Sequence, residues 1–470
     1  MPRGDLSNKV MGVITVRQMT EMSAHRQAVE QIRESYAAIP GDAVPRLSKA
    51  TTNLFRFREG TRSAKLSARD LDQVIEVDPV TMTAEVQGMT TYEHLVDATL
   101  AHGFMPYVVP QLKTITLGGA VTGLGIESTS FRDGLPHESV EELEILTGDG
   151  RIVVARDDNE HRDLFRAFPN SYGTLGYALR IRIKLKPVQP YVRLTHIPFG
   201  DADKCMLAMR EICEHGEYEG ERVDFVDGTF FGPGELYITV GRFAERAPYL
   251  SDYTGMRIYY RSIQTRTRDW LTVRDYLWRW DTDWFWCSRA FGVQTALVRS
   301  LMPRKWMRSD VYRKLVGLDR KYGVIARVDR WRDLPVQESV IQDIEVPVER
   351  GAEFLEFFHD KVGMTPVWMC PLKSTGEWPL YPLDPGRLYV NFGFWGTVPL
   401  PRGQFDGYHN RLIENRVHEL EGHKSLYSTS FYPEDEFWRF YNGTAYWPVK
   451  RAYDGGGRLL DLYDKCVRGR

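Results

Sequence analysis

The sequence predicts an α+β fold in two domains. A chain of 470 residues is long enough for two or three domains. Strand patterns such as LYITVGRF and helix patterns such as AEFLEFFHDKV are mixed along it. Pro187 and Pro190 punctuate the chain just after a charged alternating strand and mark a boundary. These observations divide it into residues 1–190, 191–430 and a tail, 431–470.

The first clear helix is expected over about 20–38, where Val29, Ile32 and Tyr36 recur at helical spacing and Pro40-Gly41 stops it. Residues 72–88 read as strand, turn, strand (QVIEV, the Asp78-Pro79 turn, TMTAEV). Thr90-Thr91-Tyr92-Glu93 is a capping-box pattern, opening a helix with Tyr92, Leu95, Val96 and Leu100 on one face and Gly103 at its end. A glycine-rich stretch follows at 114–134. Residues 140–155 predict a hairpin turning at Asp149-Gly150. Residues 172–188 predict a tight turn running into an alternating strand. The tail reads as aromatic turns and one short helix, LLDLYDKCV.

Lys plus Arg is 61 and Asp plus Glu is 63, so the basic excess of a nucleic-acid binder is missing. Hydrophobic residues at 43% rule out a disordered chain. The cysteines, Cys205, Cys213, Cys287, Cys370 and Cys466, show no C-x-x-C spacing, which predicts reduced thiols and no structural zinc. His418 and His423 are five apart, not the four of a helical zinc pair, and no metal site is expected. The N-terminus lacks the apolar core of a signal peptide, and no long uncharged apolar run occurs. The expected setting is cytoplasmic, with peripheral contact at the inner face of the cell membrane left open.

Gly118-Gly119 and Gly123-x-Gly125 invite a dinucleotide reading. The Rossmann fingerprint fails, because Ser128 stands at the third glycine and Arg132-Asp133-Gly134-Leu135-Pro136 breaks the required helix. A Walker A loop fails for want of G-K-[ST]. Glycines still let backbone N–H groups approach a pyrophosphate, and a second turn, Gly173-Thr174-Leu175-Gly176, can close over the same ligand. Two tight turns at strand ends are the competing reading.

The stretches LKTITLGGAVTGLGIESTSFRDGL and LFRAFPNSYGTLGYALRIRIKLKPV resemble the FAD-binding domain of vanillyl-alcohol-oxidase-like (PCMH-type) flavoproteins. With VIQDIEVPVE, TPVWMCPL and DEFWRFYNGTAY, they look most like the Δ24-sterol reductase family, from about residue 70 onward and in the same order. The nearest likeness is to an actinobacterial branch that reduces methylene-branched fatty acyl chains to methyl-branched ones of the tuberculostearic type. The resemblance implies a two-domain flavoprotein: a PCMH-type FAD domain over 1–190, a mixed α/β substrate domain over 191–430, and a tail, 431–470, returning to the FAD domain. It implies FAD contacts from Thr116, Gly118, Gly119, Gly123, Gly125, Ser128, Gly173, Thr174 and Gly176. Glu127 is expected to orient flavin or loop backbone. The stretch LSKATTNLFR (47–56) takes the place of the family's first phosphate loop, with Thr51, Thr52 and Asn53 as donors. It holds no histidine, so non-covalent FAD is expected. The membrane helix of the animal sterol reductases is not seen at the N-terminus, which favours the bacterial likeness.

The implied reaction is NAD(P)H-driven reduction of an isolated lipid double bond. Protonating the terminal carbon of a methylene branch leaves a tertiary cation, which takes hydride from flavin N5; a Δ24 sterol side chain offers the same cation. The chemistry needs a positioned acid and a dry apolar tunnel. The candidate acids are Tyr446, Asp343 and, less suited, Cys370; the sequence does not choose among them. The donor is NADPH or NADH. A methyltransferase making the methylene lipid is the natural partner. The rival functions are a Δ24-sterol side-chain reductase, an FAD-dependent alcohol or sugar oxidase, and a non-catalytic lipid-binding scaffold.

The segment 269–292 holds Trp270, Trp278, Trp280, Trp284 and Trp286. Such aromatics suit a membrane interface, with Arg274, Arg279 and Arg289 on lipid phosphates, or the mouth of an acyl tunnel. A buried aromatic core is the alternative. The basic run 299–314 carries a weaker form of the same suggestion.

Overall fold

The computed structural model describes residues 4–49, 55–56, 63–322 and 335–470, with the side chains of 4–19 and 318–322 outside the description. The first helix runs over Gly4–Ala37, beginning upstream of the expected start. Its Val29, Ile32 and Tyr36 are buried as their spacing requires. Tyr36 donates to the Gly148 carbonyl at 2.7 Å, and His25 meets Glu144 at 2.7 Å, so the helix is pinned to the first sheet.

That sheet is antiparallel, in the order Val74–Asp78, Thr83–Gln87, Tyr177–Pro187, Val140–Leu146, Ile152–Ala155, with Phe104–Pro106 also on the central strand. The central strand explains its own sequence. Ile181, Ile183 and Leu185 alternate inward and are buried. Arg180 and Arg182 point outward, where Arg180 meets Glu142 at 2.6 Å and Arg182 meets Glu85 at 2.5 Å from the flanking strands. Two further strands, Val44–Ser48 and Ser63–Ser67, form a small parallel pair.

The capping box of the helix Tyr92–Leu100 is shifted by one residue. Thr91 is the cap and accepts from the His94 amide, so Glu93 is not the reciprocal partner. Glu93 instead binds Arg308 at 2.8 and 3.1 Å.

From Tyr191 the chain enters a second sheet of eight strands. Its order is Arg268–Thr272, Tyr191–Phe199, Glu235–Ala244, Phe225–Gly232, Val367–Leu372, Tyr389–Pro399, Gln337–Pro347, His423–Lys424. One face packs on the helices Ala202–His215, Gly351–Lys361 and Tyr408–Glu419, through Val340, Ile344, Val390, Phe392 and Phe394. Strand alternation turns Asp343, Glu345, Asn391, Trp395 and Trp368 to the opposite face. That face looks toward the first sheet.

The tail holds more helix than expected: Glu434–Phe440, Gly443–Tyr453 and Leu462–Cys466. Pro448 lies inside the second and masks its helical pattern in the sequence; Asn442 caps it, accepting from the Ala445 amide at 3.1 Å. Lys450 donates to the carbonyls of Thr174 and Leu459 at 2.8 and 2.9 Å, and Lys465 reaches the Gly173 carbonyl at 3.4 Å. The tail therefore grips the second glycine turn.

Candidate functional site

A long cleft runs between the two sheets. One end is built from backbone. Thr116 caps the short helix Leu117–Thr122, and Gly118, Gly119, Gly123 and Gly125 follow it along the wall. Gly118 is fixed by a close approach, since a Cβ there would lie 2.6 Å from the Gly88 carbonyl oxygen. Opposite, Gly173 and Gly176 take φ of 72° and 141°, which side chains disfavour. The amides of Leu124, Gly125, Gly173 and Gly176 have no acceptor among the described residues.

This end is cationic. Arg46, Lys49, Arg56, Lys465 and Arg470 line the cleft, and Asp343 is the one carboxylate that does so among the described residues. The Arg46 guanidinium holds a buried nitrogen, Nη2, with no hydrogen-bond partner among the described residues. Arg56 lies over the Tyr172 ring at 4.8 Å. Unspent amides and an unpaired buried guanidinium nitrogen suit an anionic ligand such as the pyrophosphate of FAD. Among the described residues, no histidine or cysteine lines the cleft.

The other end is aromatic. Trp284, Phe285, Trp368 and Trp395 line it; the Phe285 and Trp395 ring centroids are 4.2 Å apart, and Phe55 stacks on Trp284 at 5.6 Å. Trp284 and Phe285 sit at φ of 46° and 58°. Bulky side chains rarely adopt this conformation, which costs on the order of 1–3 kcal/mol each and gathers at functional sites.

Asp343 stands on this wall, beside Tyr427. Burial pushes its carboxyl up to about 7, against the opposing pull of hydrogen bonds from Asn391, at 3.2 Å, and Tyr427. The Tyr427 hydroxyl accepts from Trp395 Nε1 at 2.8 Å. Gly393 pairs with Asp343 in the sheet, and a Cβ there would lie 2.6 Å from Asp343 Oδ1. Glu345, next on the same face, is fully buried and held well above the usual carboxylate range by burial and then by Asp343.

The structure sorts the sequence expectations. Of the candidate acids, Asp343 alone lines the cleft. Tyr446 is fully buried between Trp438 and Trp447, with ring centroids at 5.0 and 5.3 Å, and does not reach the cleft. Cys370 is likewise fully buried off the wall, and burial raises its thiol well above the ordinary range. Thr116 and the six glycines line the cleft. Thr174, Glu127 and Ser128 lie behind it. The Thr174 hydroxyl donates to the Ser171 carbonyl at 2.8 Å. Glu127 accepts from the Ser128 amide and hydroxyl at 2.8 and 2.7 Å and from Arg279 at 2.9 Å. Thr51, Thr52 and Asn53 lie outside the described residues.

Arg279 is buried and also binds Asp227 at 2.8 Å, so one guanidinium joins the glycine loop to the second sheet. Trp368 donates to the same Asp227 at 3.2 Å. The aromatic segment 269–292 packs largely inward, although Trp270 is half-buried and Arg289 exposed. Trp278, Trp280, Trp284 and Trp286 are buried, Arg279 is enclosed, and Arg274 is engaged by Asp97 at 2.7 Å. Among the described residues, no group of His, Cys, Asp and Glu could hold a metal ion. No described helix is long and apolar enough to cross a membrane.

Sequence reasoning missed Arg46, Arg56, Lys465 and Tyr427. Arg46 and Arg56 flank one short stretch, Tyr427 and Lys465 come from near the other end of the chain, and only the fold brings them to one cleft.

The comparisons agree with this geometry. Residues 46–156 match the family model described as FAD binding domain. The chain is 28% identical over 452 residues to a Delta(24)-sterol reductase of Arabidopsis thaliana, covering 87% of this chain and 77% of that one. It is 25% identical over 418 residues to the Delta(24)-sterol reductase of Rattus norvegicus, covering 85% and 77%. A 146-residue stretch is 32% identical to cytokinin dehydrogenase 6 of Oryza sativa subsp. japonica, covering 30% and 26%. The architecture is that of a two-domain flavoprotein of the PCMH type.

Proposed function

On the premise that this chain is an FAD-dependent oxidoreductase, we propose that it reduces an isolated carbon–carbon double bond in a lipid. The observation that carries the reading is the place of Asp343: a carboxyl on an aromatic wall of the cleft, which burial pushes up to about 7. The relatives' names, sterol reductases, support the same chemistry.

The glycine cradle with Arg46, Lys49 and Lys465 would hold the pyrophosphate of FAD; bound FAD supplies the hydride. The chain's own residues supply the rest. Asp343 gives its proton to the less substituted alkene carbon, leaving a tertiary cation. Asn391 and Tyr427 hold the carboxyl in place and stabilise the carboxylate that results. Trp395, Trp368 and Phe285 exclude water and face the cation with their π-systems. One proton and one hydride are consumed per double bond. Recharging draws on NADPH or NADH.

The favoured substrate is a methylene-branched fatty acyl chain on a phospholipid. A Δ24 sterol side chain is the second reading, favoured by the names of the relatives. Both give the same type of cation, so the acid alone does not separate them.

The test is anaerobic. The protein is reduced with NADPH, methylene-branched phospholipid is added, and flavin absorption is followed. Return of the oxidised band with formation of the methyl-branched lipid supports the reading. Persistent bleaching with this lipid, but reoxidation by a Δ24 sterol, moves the substrate to the second reading. Reoxidation by oxygen alone, with peroxide released, overturns both in favour of an oxidase.

A further inference from the structure

The outer surface of the aromatic segment carries a patch that neither the cleft nor the folded core uses. Between residues 284 and 309 the chain has no aspartate or glutamate, while Arg289, Arg299, Arg304, Lys305 and Arg308 fall within it. Arg299 and Arg308 are engaged internally, by Asp283 at 2.6 Å and by Glu93 at 2.8 Å. Arg289 and Lys305 are exposed, as is Arg304, whose partner is the exposed Asp252 at 3.2 Å.

Among these cations, large apolar side chains stand in water. Leu297 and Leu301 are 72% and 76% exposed, and they sit one turn apart on the helix Ala296–Leu301. Trp306 is 53% exposed and Met256 54%. The loop bearing Met256 is tied to that helix, because Arg299 donates to the carbonyls of Gly255 and Arg257 at 2.6 and 3.1 Å. Arg257 is exposed beside it. The patch is therefore continuous across two segments, and large apolar groups gathered on a surface mark an interaction site.

We propose that this patch, Met256, Leu297, Leu301 and Trp306 within a rim of Arg257, Arg304 and Lys305, docks the protein on an anionic lipid bilayer. Protruding leucines and a tryptophan ringed by cations match the apolar edge and negative headgroups of such a surface. A second copy of the chain is a poor occupant, since a two-fold contact would set these cations against themselves. The same stretch of chain also reaches the cleft wall. Trp284 lines the cleft and clusters with Val293, Met307 and Tyr312, which flank the helix Ala296–Leu301 in sequence. Docking stands apart from the reductase reading; only its purpose, delivery of a bilayer lipid to the cleft, rests on it.

The test is co-sedimentation of the holoprotein with phosphatidylcholine vesicles, with and without phosphatidylglycerol. The expected result is binding to the vesicles with phosphatidylglycerol, weakened by salt. The double variant Leu297→Glu/Leu301→Glu should lose at least about tenfold in affinity, and Lys305→Ala about fivefold. Flavin content and melting temperature are the folding controls, and Leu297→Ser/Leu301→Ser replaces the glutamate pair if that pair misfolds. Failure of the wild type to bind, or equal binding by the leucine variants, overturns docking. So does a dimer in solution that these substitutions dissociate. Turnover of a detergent-dispersed alkene by the leucine variants separates the two readings: loss of vesicle binding with turnover kept is a docking defect, whereas vesicle binding with no turnover anywhere counts against the reductase alone.

Discussion

The Tyr427 hydroxyl lies beside the Asp343 carboxyl on the wall of the cleft and favours its ionised form, and Trp395 donates to that hydroxyl at 2.8 Å. The tyrosine thus has its acceptor side occupied and its proton directed to the carboxyl. Asp343→Asn keeps the shape and loses the acid. Reoxidation of the reduced flavin by alkene should slow by about 10²–10⁴, the range for general acids, while FAD content and its reduction by NADPH stay unchanged. Rapid-mixing absorption measures each step separately.

The same step should lose rate as pH rises through about 7, where Asp343 ionises. In Tyr427→Phe one hydrogen bond to the ionised carboxyl is gone, so the group is harder to ionise. The alkaline limb should move to higher pH, with about a tenfold loss of rate on its plateau. A limb that stays in place would assign the titration to another group.

Asp343 also links pH to stability. Its carboxyl is raised in the folded state, so the native protein binds the proton more tightly than the unfolded chain. The stabilising contribution is full below the ordinary carboxylate range and is lost as pH rises toward 7. Asp343→Asn should therefore gain stability relative to wild type between pH 5 and pH 8. Urea denaturation at the two pH values measures the difference.

Gly393→Ala tests the geometry without touching the acid's chemistry. The added methyl would lie 2.6 Å from Asp343 Oδ1 and 2.5 Å from the Trp395 ring, so both must shift. Turnover should fall by at least about tenfold, since small misplacements cost rate steeply. The visible spectrum of bound FAD should be retained.

Arg279 is enclosed between Glu127 and Asp227, and Arg279→Leu leaves both carboxylates buried without their cation. A loss of about 3–5 kcal/mol in stability is expected. Because Glu127 also holds the Ser128 amide, FAD affinity should fall with it. Denaturant titration and FAD dissociation on dilution read the two effects.

Local features were legible in the sequence. The hairpin about Asp149-Gly150 and the strand Tyr177–Pro187 declare themselves by alternation and turn chemistry within a few residues. The glycine turns were legible for the same reason. The acid was not. Alternation places Asp343 on one face of its strand, but what that face meets is set by Tyr427, Asn391 and Trp395, which arrive from other strands and loops. Tyr446 misled because its NGTAY setting declares an aromatic turn and says nothing of Trp438 and Trp447 closing over it. The tryptophan-rich segment left two readings open: composition showed aromatics and arginines, whereas the partners Glu127 and Asp227 that draw Arg279 inward are distant in sequence.

The grip of Lys450 on Thr174 has a consequence for timing. The two residues are 276 positions apart. At about 5–20 residues per second, the ribosome makes the lysine on the order of tens of seconds after the turn it secures. Throughout that interval the first sheet can form while one wall of its cradle stays unfastened. Flavin capture is then a late event in the life of the newborn chain, and a ribosome stalled before residue 450 should carry a nascent protein that has folded its first sheet but is still colourless.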